Sequence, residues 1–286
     1  MLSRNSLIEN FKQRLPQNYT ITTTGSAVVI GLERLKEILK EIAENDLNNL
    51  PRASPAMKGR LPIRIFKYPG GNAVVRQAAR GGFLRLLGKR FFSSRRFFNE
   101  LLASEHLRRS GISTPQIIAL KIQQDGKFCL PANWQAGLTA WIITELAPNA
   151  VSLREYIRSA EKDKCRIIFQ KTAELLSEMH NARVVHPDFH IGNILVAKDE
   201  PILIDLDGAK SVGEVSSFWR AMNLARFIRS TEKMQALEEI RIPEENIKLV
   251  VDTYRAHNSA PFLTTFLTIF RALNYILFPF RKIIWR

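Results

Sequence analysis

The sequence His186-Pro187-Asp188-Phe189-His190-Ile191-Gly192-Asn193 is the most informative part of this chain. Asp205 follows twelve residues after Asn193, at the end of the apolar run Ile202-Leu203-Ile204. An acid, an amide five residues later and a second acid after a strand are the arrangement that phosphoryl transfer needs in kinase-like folds. We therefore predict that Asp188 is a catalytic base, and that Asn193 and Asp205 are ligands of Mg²⁺ beside the phosphates of ATP.

The residues around this motif favour two strands joined by a turn. The apolar residues 194–196 follow Asn193 directly, residues 198–201 are typical of a turn, and a second strand leads into Asp205. The alternative interpretation is an ordinary hairpin whose loop carries polar residues by chance.

Histidine and cysteine spacing gives no sign of a metal site. His180, His186 and His190 lack ligand spacing, so we expect His186 to support the loop backbone and His190 to shape a sugar site. Cys129 and Cys165 stand in unrelated contexts and are interpreted as packing residues, which fits a reducing cytoplasmic compartment. The polar first 15 residues have no apolar core of a signal peptide.

The order of predicted elements is that of a two-lobed protein-kinase-like fold of the α+β class. Strands are predicted at residues 62–68, 73–76 and 141–144, and helices at residues 32–42, 97–109, 153–157 and 166–180. We divide the chain into an N-terminal extension with a helix (1–45), a β-rich N-lobe (46–146), a mainly helical C-lobe (147–258) and a tail with an amphipathic helix (259–286).

Charge is distributed unevenly along the 286 residues, which carry a formal net charge of +15. Residues 47–99 contain twelve Lys or Arg and no Asp or Glu, and residues 253–286 again contain no acid. Two long acid-free blocks favour an anionic partner such as a phosphorylated glycolipid, an anionic membrane surface or nucleic acid. A basic surface that serves only solubility is the simpler alternative.

A kinase-like site also needs a cation on the phosphates, an acid that holds this cation, and a glycine-containing phosphate loop. Arg76 is our choice for the cation, with Lys67 as its competitor, and Glu100 is the expected partner of Arg76. Gly59 is the candidate glycine of the phosphate loop. After the strand at 141–144, Glu145 and Ala147 would form the hinge between the two predicted lobes, and the backbone of this hinge would contact the adenine of ATP.

Five segments together resemble the 3-deoxy-D-manno-octulosonic acid (Kdo) kinases of the lipopolysaccharide kinase family, relatives of the inner-core heptose kinases. They are residues 58–60, residues 74–91, residues 96–115, the loop from His186 to Asp207, and residues 218–230 with Phe218-Trp219-Arg220, Asn223-Leu224 and Arg229-Ser230. The resemblance favours Arg76 over Lys67. It implies ATP-dependent phosphorylation of a sugar hydroxyl on Kdo–lipid A, with heptose as the second choice, at the cytoplasmic face of the bacterial inner membrane.

Two other function classes stay open beside the lipopolysaccharide kinase. One is a protein or small-molecule kinase of the same fold, although the basic N-lobe would repel cationic aminoglycosides. The other is a membrane-bound pseudokinase, suggested by the single glycine of the phosphate loop and by Arg76 at the position where kinases commonly have Lys. Nucleic acid is not the favoured partner.

The tail is predicted to associate with the membrane without crossing it. Phe262, Phe266, Ile269, Leu273, Ile276 and Phe280 recur at steps of three or four residues, so they form one apolar face. Arg271 falls near the middle, where a spanning helix would pay at least a few kcal/mol for it. An amphipathic helix in the headgroup region of an anionic membrane suits this pattern, and a helix docked on the C-lobe is the alternative.

Overall fold

The structure is a computed structural model that describes residues 8–9, 11–53, 62–79, 91, 93–124, 137–238, 240, 242–258, 263–270 and 272. Residue contacts divide the chain into two compact units. The first unit comprises residues 1–105 and 115–146, and the second comprises residues 106–114 and 147–286.

The first unit is built on a six-stranded antiparallel sheet. Its strands are β1 (Tyr19–Thr24), β2 (Ala27–Leu32), β3 (Arg64–Tyr68), β4 (Gly71–Gln77), β5 (Ile117–Gln124) and β6 (Leu138–Glu145). They lie in the order β1-β2-β5-β6-β4-β3. Its helices are α1 (Lys36–Glu44), two 3₁₀ turns at Glu33–Leu35 and Leu47–Asn49, and α2 (Arg95–Arg109), whose last residues belong to the second unit.

The β3–β4 hairpin determines where Arg76 lies. Tyr68 pairs with Gly71 across a two-residue turn, and Gly71 has a φ of 127°, a conformation that favours glycine. From this turn β4 pairs with β6 on its other side, which places Arg76 opposite Ile142. Arg76 is therefore on an interior strand of the sheet, one residue beyond the last residue of β4 that pairs with β3.

Helix α1 packs on the sheet through fully buried Leu39 and Ile42. The Lys121 side chain of β5 reaches the end of α1, where its Nζ donates to the carbonyls of Ile42 (2.9 Å), Ala43 (3.1 Å) and Asn45 (2.7 Å). The last carbonyls of a helix have no partner within the helix, so this buried ammonium satisfies them. Burial also lowers the pKa of Lys121.

The second unit is mainly helical. Its helices are α3 (Leu153–Ser159), α4 (Lys162–Asn181), α5 (Ser217–Glu238), α6 (Glu244–His257) and a helical segment at residues 263–270, here α7, with one 3₁₀ turn at Ile191–Asn193. Its short strands are β7 (Val151–Ser152), β8 (Val184–Val185), β9 (Ile194–Ala197), β10 (Glu200–Leu203) and β11 (Lys210–Ser211). They form two small sheets, β10-β9-β7 and β11-β8.

Aromatic side chains fill the core of the second unit. Phe169 of α4 and Phe189 of the loop before β9 both pack against Phe227 of α5, with ring centroids 6.0 Å apart in each pair. All three side chains are at most 1% exposed. The loop that carries Asp188 is thus anchored by its own Phe189 in the apolar core.

The predicted fold class is confirmed, because an antiparallel sheet is followed by a mainly helical unit. Most predicted elements exist with ends that differ by a few residues. The second strand of the loop hairpin is Glu200–Leu203 and begins inside the predicted turn. The division between the units at residues 146 and 147 coincides with the predicted end of the N-lobe.

The N-terminal region differs from the sequence-based expectation. The predicted helix at residues 32–42 begins only at Lys36, because Leu32 is the last residue of β2, where it pairs with Tyr19 and is buried. Strands β1 and β2 join the same sheet as β3 to β6, and contacts assign residues 1–45 to the first unit. The described residues up to Asn45 therefore belong to the sheet unit. Strand β5 was also not predicted.

The tail is described only at residues 263–270 and 272. Leu263 and Leu267, which are not in the predicted apolar face, are the buried residues of α7. Phe266 is partly buried against Phe218 of α5, with ring centroids 6.1 Å apart, and Ile269 is 48% exposed. Predicted face residues outside the described residues are Phe262, Leu273, Ile276 and Phe280. Among the described residues, no helix combines the length and the apolar character that crossing a membrane requires.

We predict that Gly31→Ala destabilises the first unit by about 1–3 kcal/mol, because overpacking a core is costly. A Cβ at Gly31 would lie 2.4 Å from a Leu39 methyl group and 2.8 Å from the Ile118 carbonyl oxygen, which cannot move aside without the strand. Urea unfolding measures the change. Gly213→Ala is the control, because its Cβ would meet no atom within 4 Å. Equal stability of the two variants would contradict the packing of α1 on β2.

Candidate active site

The first unit joins Arg76 to Glu100 in an ion pair. Arg76 Nη2 lies 2.6 Å from Glu100 Oε1, a distance typical of a charge-assisted hydrogen bond. The Glu100 side chain is 4% exposed and that of Arg76 is 30% exposed, so the acid is buried and the guanidinium reaches solvent. A buried carboxylate can orient a cation in this way, and the role of Arg76 on the phosphates stays a prediction.

The other predicted nucleotide contacts are placed less completely. Gly59 lies outside the described residues, and the competitor Lys67 is an exposed residue of β3. Glu145 ends β6, where its N–H donates to the Gln116 carbonyl (2.8 Å). Burial, and after it the carboxylate of Glu145, raises the pKa of Tyr68. Ala147 is the first residue of the second unit after this strand. The contact of Glu145 and Ala147 with adenine stays a prediction.

The β9–β10 hairpin brings the two predicted metal ligands to one end of the second unit's small sheet. Leu203 pairs with Ile194, and beyond this pair the Ile204 N–H donates to the Asn193 carbonyl at 3.0 Å. Asn193 therefore directly precedes β9 at the same end at which Asp205 follows β10. The turn between the strands is closed by Lys198 and Asp199, which have φ values of 52° and 60°.

Asn193 and Asp205 both carry a side-chain oxygen that can bind a cation. Asn193 Nδ2 donates to the Asp188 carbonyl at 3.0 Å, so the oxygen end of the amide is left for a cation. Asp205 is exposed and has a φ of 57°, a strained conformation of the kind that functional sites retain. One carboxylate and one amide oxygen suit Mg²⁺, which takes its other ligands from phosphates and water.

Protein side chains alone do not form a closed metal cage here. Within the described ranges there is no cluster of three or more His, Cys, Asp or Glu side chains placed to hold a metal ion. The predicted donor set of Asn193 and Asp205 would instead be an open one, as expected for a metal that is carried with a nucleotide.

Asp188 lies between two side chains with hydrogen-bond donors, those of His190 and Arg226. Its Oδ2 is 3.4 Å from His190 Nε2 and its Oδ1 is 3.4 Å from Arg226 Nη1, while the carboxylate is half exposed. His190 Nδ1 accepts from the Gly192 N–H (2.9 Å), so the hydrogen of a neutral His190 is on Nε2 and points at Asp188. The hydrogen bond from His190 lowers the pKa of Asp188, and Arg226 adds to the effect. Asp188 is therefore ionised at neutral pH.

His186 holds the backbone of the loop, as its sequence context favours. Its ring is fully buried, Nδ1 accepts from the Asp188 N–H (3.1 Å), and Nε2 lies 3.5 Å from the Ile204 carbonyl. The ring thus connects the segment before Asp188 to the segment before Asp205. Burial lowers the pKa of His186, which keeps the imidazole neutral.

Three contacts from α5 to this loop, and one from α4 that supports them, were not predicted from the sequence. Arg226 pairs with Asp188, and Ser230 Oγ accepts from the Ile191 N–H at 3.1 Å. Asn223 Nδ2 donates to the His186 carbonyl at 2.6 Å, and the fully buried His180 lies against Asn223. Asn223 and Ser230 belong to segments that carried the family resemblance, so that resemblance was the only signal that singled them out.

The fold and the family that the chain matches define the class of protein, a kinase-like phosphotransferase. The chain belongs to the lipopolysaccharide kinase (Kdo/WaaP) family, because the model of that family matches residues 56–254. Membership in a kinase family implies the use of ATP. The family and the relatives described next indicate a phosphotransferase that acts on a sugar hydroxyl.

Several similar proteins are named 3-deoxy-D-manno-octulosonic acid kinase. That of Vibrio cholerae serotype O1 is 30% identical over 139 residues, which cover 48% of this chain but only 54% of the Vibrio protein. That of Haemophilus influenzae (strain 86-028NP) is 32% identical over 62% of this chain and 73% of its own length. That of Actinobacillus succinogenes is 28% identical over 65% of this chain and 76% of its own length.

A solved structure supports the fold independently. The structure of WaaP in complex with acyl carrier protein matches with a TM-score of 0.53 and covers 80% of this chain and 89% of that one. At 19% sequence identity, this likeness shows the fold alone.

We predict that stability falls between about pH 6.5 and pH 4, partly because of His180. Burial lowers the pKa of His180 from 6.5 to about 4. Above pH 6.5 the folded and unfolded states are both neutral at this ring; below it only the unfolded state takes up the proton. At about 1.4 kcal/mol per pH unit, His180 accounts for a loss of about 3 kcal/mol by pH 4.

Urea unfolding of the parent chain and of His180→Gln from pH 7 to pH 4.5 measures this contribution. We expect the parent to lose about 2–3 kcal/mol more than the variant, which has no proton to take up at this position. The pKa of His186 is also lowered, but His186 is present in both proteins, so its contribution to the free energy of unfolding cancels in the comparison. Parallel pH curves would contradict the assignment to His180.

Proposed function

We propose that this chain is an Mg²⁺- and ATP-dependent kinase that phosphorylates a hydroxyl of Kdo on a lipid A acceptor, with heptose as the second choice of sugar. The observation that carries the proposal is the second unit's loop, where the β9–β10 pairing and the Asn193–Asp188 hydrogen bond hold Asp188, Asn193 and Asp205 at one end of the hairpin. The names of these relatives, 3-deoxy-D-manno-octulosonic acid kinase, support Kdo as the sugar.

In this proposal Asp188 orients the acceptor hydroxyl and accepts its proton. An ionised carboxylate with a lowered pKa is a weak base. A weak base suits phosphoryl transfer, because the loose transition state of this reaction requires little proton abstraction. Asn193 and Asp205 would hold Mg²⁺, which neutralises charge on the β- and γ-phosphates when bound. Arg76, oriented by Glu100, would pair with the phosphates through its guanidinium.

The charge of the chain supports an anionic acceptor. The net charge of +15 and the acid-free blocks at residues 47–99 and 253–286 attract phosphorylated glycolipid and ATP alike. The same field disfavours cationic small molecules such as aminoglycosides. A pseudokinase is disfavoured by the site itself, since Asp188, Asn193, Asp205, Arg76 and Glu100 are all present.

We predict that Asp188→Asn and Asp205→Asn each lower phosphate transfer from ATP to Kdo–lipid A by about 10²–10⁴-fold. Both changes keep the shape of the side chain and remove its charge. Asp199→Asn is the matched control, because Asp199 lies in the exposed β9–β10 turn with a φ of 60°, a conformation that Asn also tolerates. Transfer is measured with labelled ATP, and mass spectrometry of the product identifies the sugar that is modified.

Near-parental activity of Asp188→Asn would exclude the base assignment. If the parent transfers phosphate to heptose-containing acceptors but not to Kdo–lipid A, heptose replaces Kdo as the proposed sugar. If the parent transfers phosphate to neither acceptor, the proposed function is excluded.

We further propose that the chain acts as a peripheral protein at the cytoplasmic face of the inner membrane. An aromatic cluster supports this location: Phe218 of α5 contacts Trp219, Phe266 and Phe270, with ring centroids 5.9–6.3 Å apart. Phe218 and Trp219 are 42% and 38% exposed, and Ile269 beside Phe270 is 48% exposed. Aromatic rings of this kind favour the headgroup region of a bilayer, and the basic tail would attract anionic lipid.

We predict that the double substitution Trp219→Ser and Ile269→Ser weakens binding to vesicles containing anionic phosphatidylglycerol by about tenfold or more, because each large apolar side chain contributes about 1.5–3 kcal/mol when fully buried. Ile167→Ser is the matched control, since Ile167 of α4 is also 49% exposed. Vesicle sedimentation measures binding, and thermal unfolding verifies the fold. Deleting the whole tail is less informative, because it would also remove the buried Leu263 and Leu267. Equal binding of the double variant and the control would exclude this surface.

A further inference from the structure

A chain of buried polar side chains from three helices ends at the loop that carries Asp188. Arg220 Nη1 of α5 lies 3.3 Å from the Tyr254 hydroxyl of α6, which lies 2.7 Å from His180 Nδ1 of α4. His180 Nε2 is 2.9 Å from Asn223 Oδ1, and Asn223 Nδ2 is 2.6 Å from the His186 carbonyl. His180, Asn223 and Tyr254 are at most 1% exposed, so water does not replace these contacts.

The chemistry of the groups fixes the direction of every hydrogen bond. A carbonyl only accepts, so Asn223 turns its NH₂ toward His186 and its oxygen toward His180. That oxygen also only accepts, so the hydrogen of His180 is on Nε2. His180 Nδ1 is then an acceptor, Tyr254 donates to it, and the Tyr254 oxygen accepts from Arg220, which is always protonated.

The receiving end of this chain is held at three points. The backbone carbonyl of His186 accepts from Asn223. In the His186 ring, Nδ1 accepts from the Asp188 N–H and Nε2 faces the Ile204 carbonyl. Only the first of these contacts comes from a helix, since the other two are made within the loop and to the segment before Asp205. Asn223 is therefore the link between the rigid helical core and the backbone two residues before Asp188.

We propose that Asn223 is a positioning residue for Asp188, and that Arg220, Tyr254 and His180 act through it by fixing the orientation of its amide. The inference rests on the proposed function in that Asp188 is the catalytic base. A carboxylate at residue 223 could not replace the amide, because it has no hydrogen to donate to the His186 carbonyl. An apolar residue would leave both that carbonyl and the His180 N–H buried without a partner.

The kinetic test compares Asn223→Leu and His180→Leu with His180→Gln and Thr231→Val. The Gln amide can donate to Asn223 as His180 Nε2 does, so it is the conservative rescue. Thr231 is the matched control, because it is fully buried on the same helix and its hydroxyl donates within the helix to Ile228 (2.6 Å). We expect the two Leu variants to lower kcat by about 10²-fold with nearly unchanged KM for ATP, since a misplaced catalytic group costs this much.

The outcomes separate positioning from general stability. We expect His180→Gln to restore most of the kcat that is lost in His180→Leu. We expect the kcat of Thr231→Val to stay near the parental value, even if its melting temperature falls as much as that of the Leu variants. A loss of kcat in Asn223→Leu no larger than in Thr231→Val would overturn the proposal, as would His180→Gln being as slow as His180→Leu.

Two further measurements are independent of activity. Nitrogen NMR of the parent is expected to show His180 as the neutral Nε2–H tautomer at pH 7, and a charged or Nδ1–H ring would overturn the chain of hydrogen bonds even if Asn223→Leu fails to fold. Hydrogen exchange of residues 186–193 is expected to speed up in Asn223→Leu and not in Thr231→Val. If the parent transfers no phosphate to Kdo–lipid A, the proposed function fails, and unchanged exchange in Asn223→Leu would separately refute the positioning role.

Discussion

The antiparallel register of β9 and β10 is the constraint on which the candidate site depends. Leu203 opposite Ile194 fixes Asn193 and Ile204 as neighbours, and their backbone hydrogen bond of 3.0 Å closes the end of the hairpin. A slip of one residue would turn each side chain of a strand to the opposite face and would separate Asn193 from Asp205. The core prevents such a slip, because Ile194 and Leu203 are fully buried.

Three histidines around this hairpin serve the structure through one shared property. In His180, His186 and His190 the Nδ1 atom accepts a hydrogen bond, from Tyr254, from the Asp188 N–H and from the Gly192 N–H respectively. Each neutral ring must therefore carry its hydrogen on Nε2. An irregular loop cannot satisfy its backbone groups through helix or sheet pairing, so side chains that both donate and accept take over this task. His186 and His190 do this directly for the loop backbone, and His180 does so through Asn223.

The sequence was informative where the determinants of structure are local. The strands on either side of Lys198 follow each other directly, so the apolar runs and the turn residues sufficed to predict the hairpin. Strand β5 was missed because its pairing is distant in sequence: Ile30 pairs with Leu120. Strands β1 and β2 pair locally across the turn at Gly25 and Ser26, a hairpin signal that the prediction overlooked. Leu32, the last residue of β2, was interpreted as the first residue of the following helix. Periodicity alone does not distinguish a short buried strand from a helix.

The same distinction applies to the candidate site. The spacing of Asp188, Asn193 and Asp205 is a local pattern, whereas Arg226 and Asn223 approach the loop from a helix more than thirty residues further along. Arg226 follows Asn223 by three residues, so one face of α5 supplies both the contact to the carboxylate and the contact to the backbone before it. The sequence around an arginine on a long helix does not indicate which acid it will pair with, so this contact is visible only in the folded structure.

The environment of Asp188 also bears on the kind of catalysis this site can perform. His190 and Arg226 stabilise the ionised carboxylate, which lowers its pKa and with it its strength as a base. A reaction that required early and complete proton removal would be poorly served by such a group. Phosphoryl transfer through a loose transition state needs mainly a well-placed hydroxyl and stabilised phosphate charge. The contacts that weaken Asp188 as a base also fix its position, so in the proposed kinase orientation matters more than basicity.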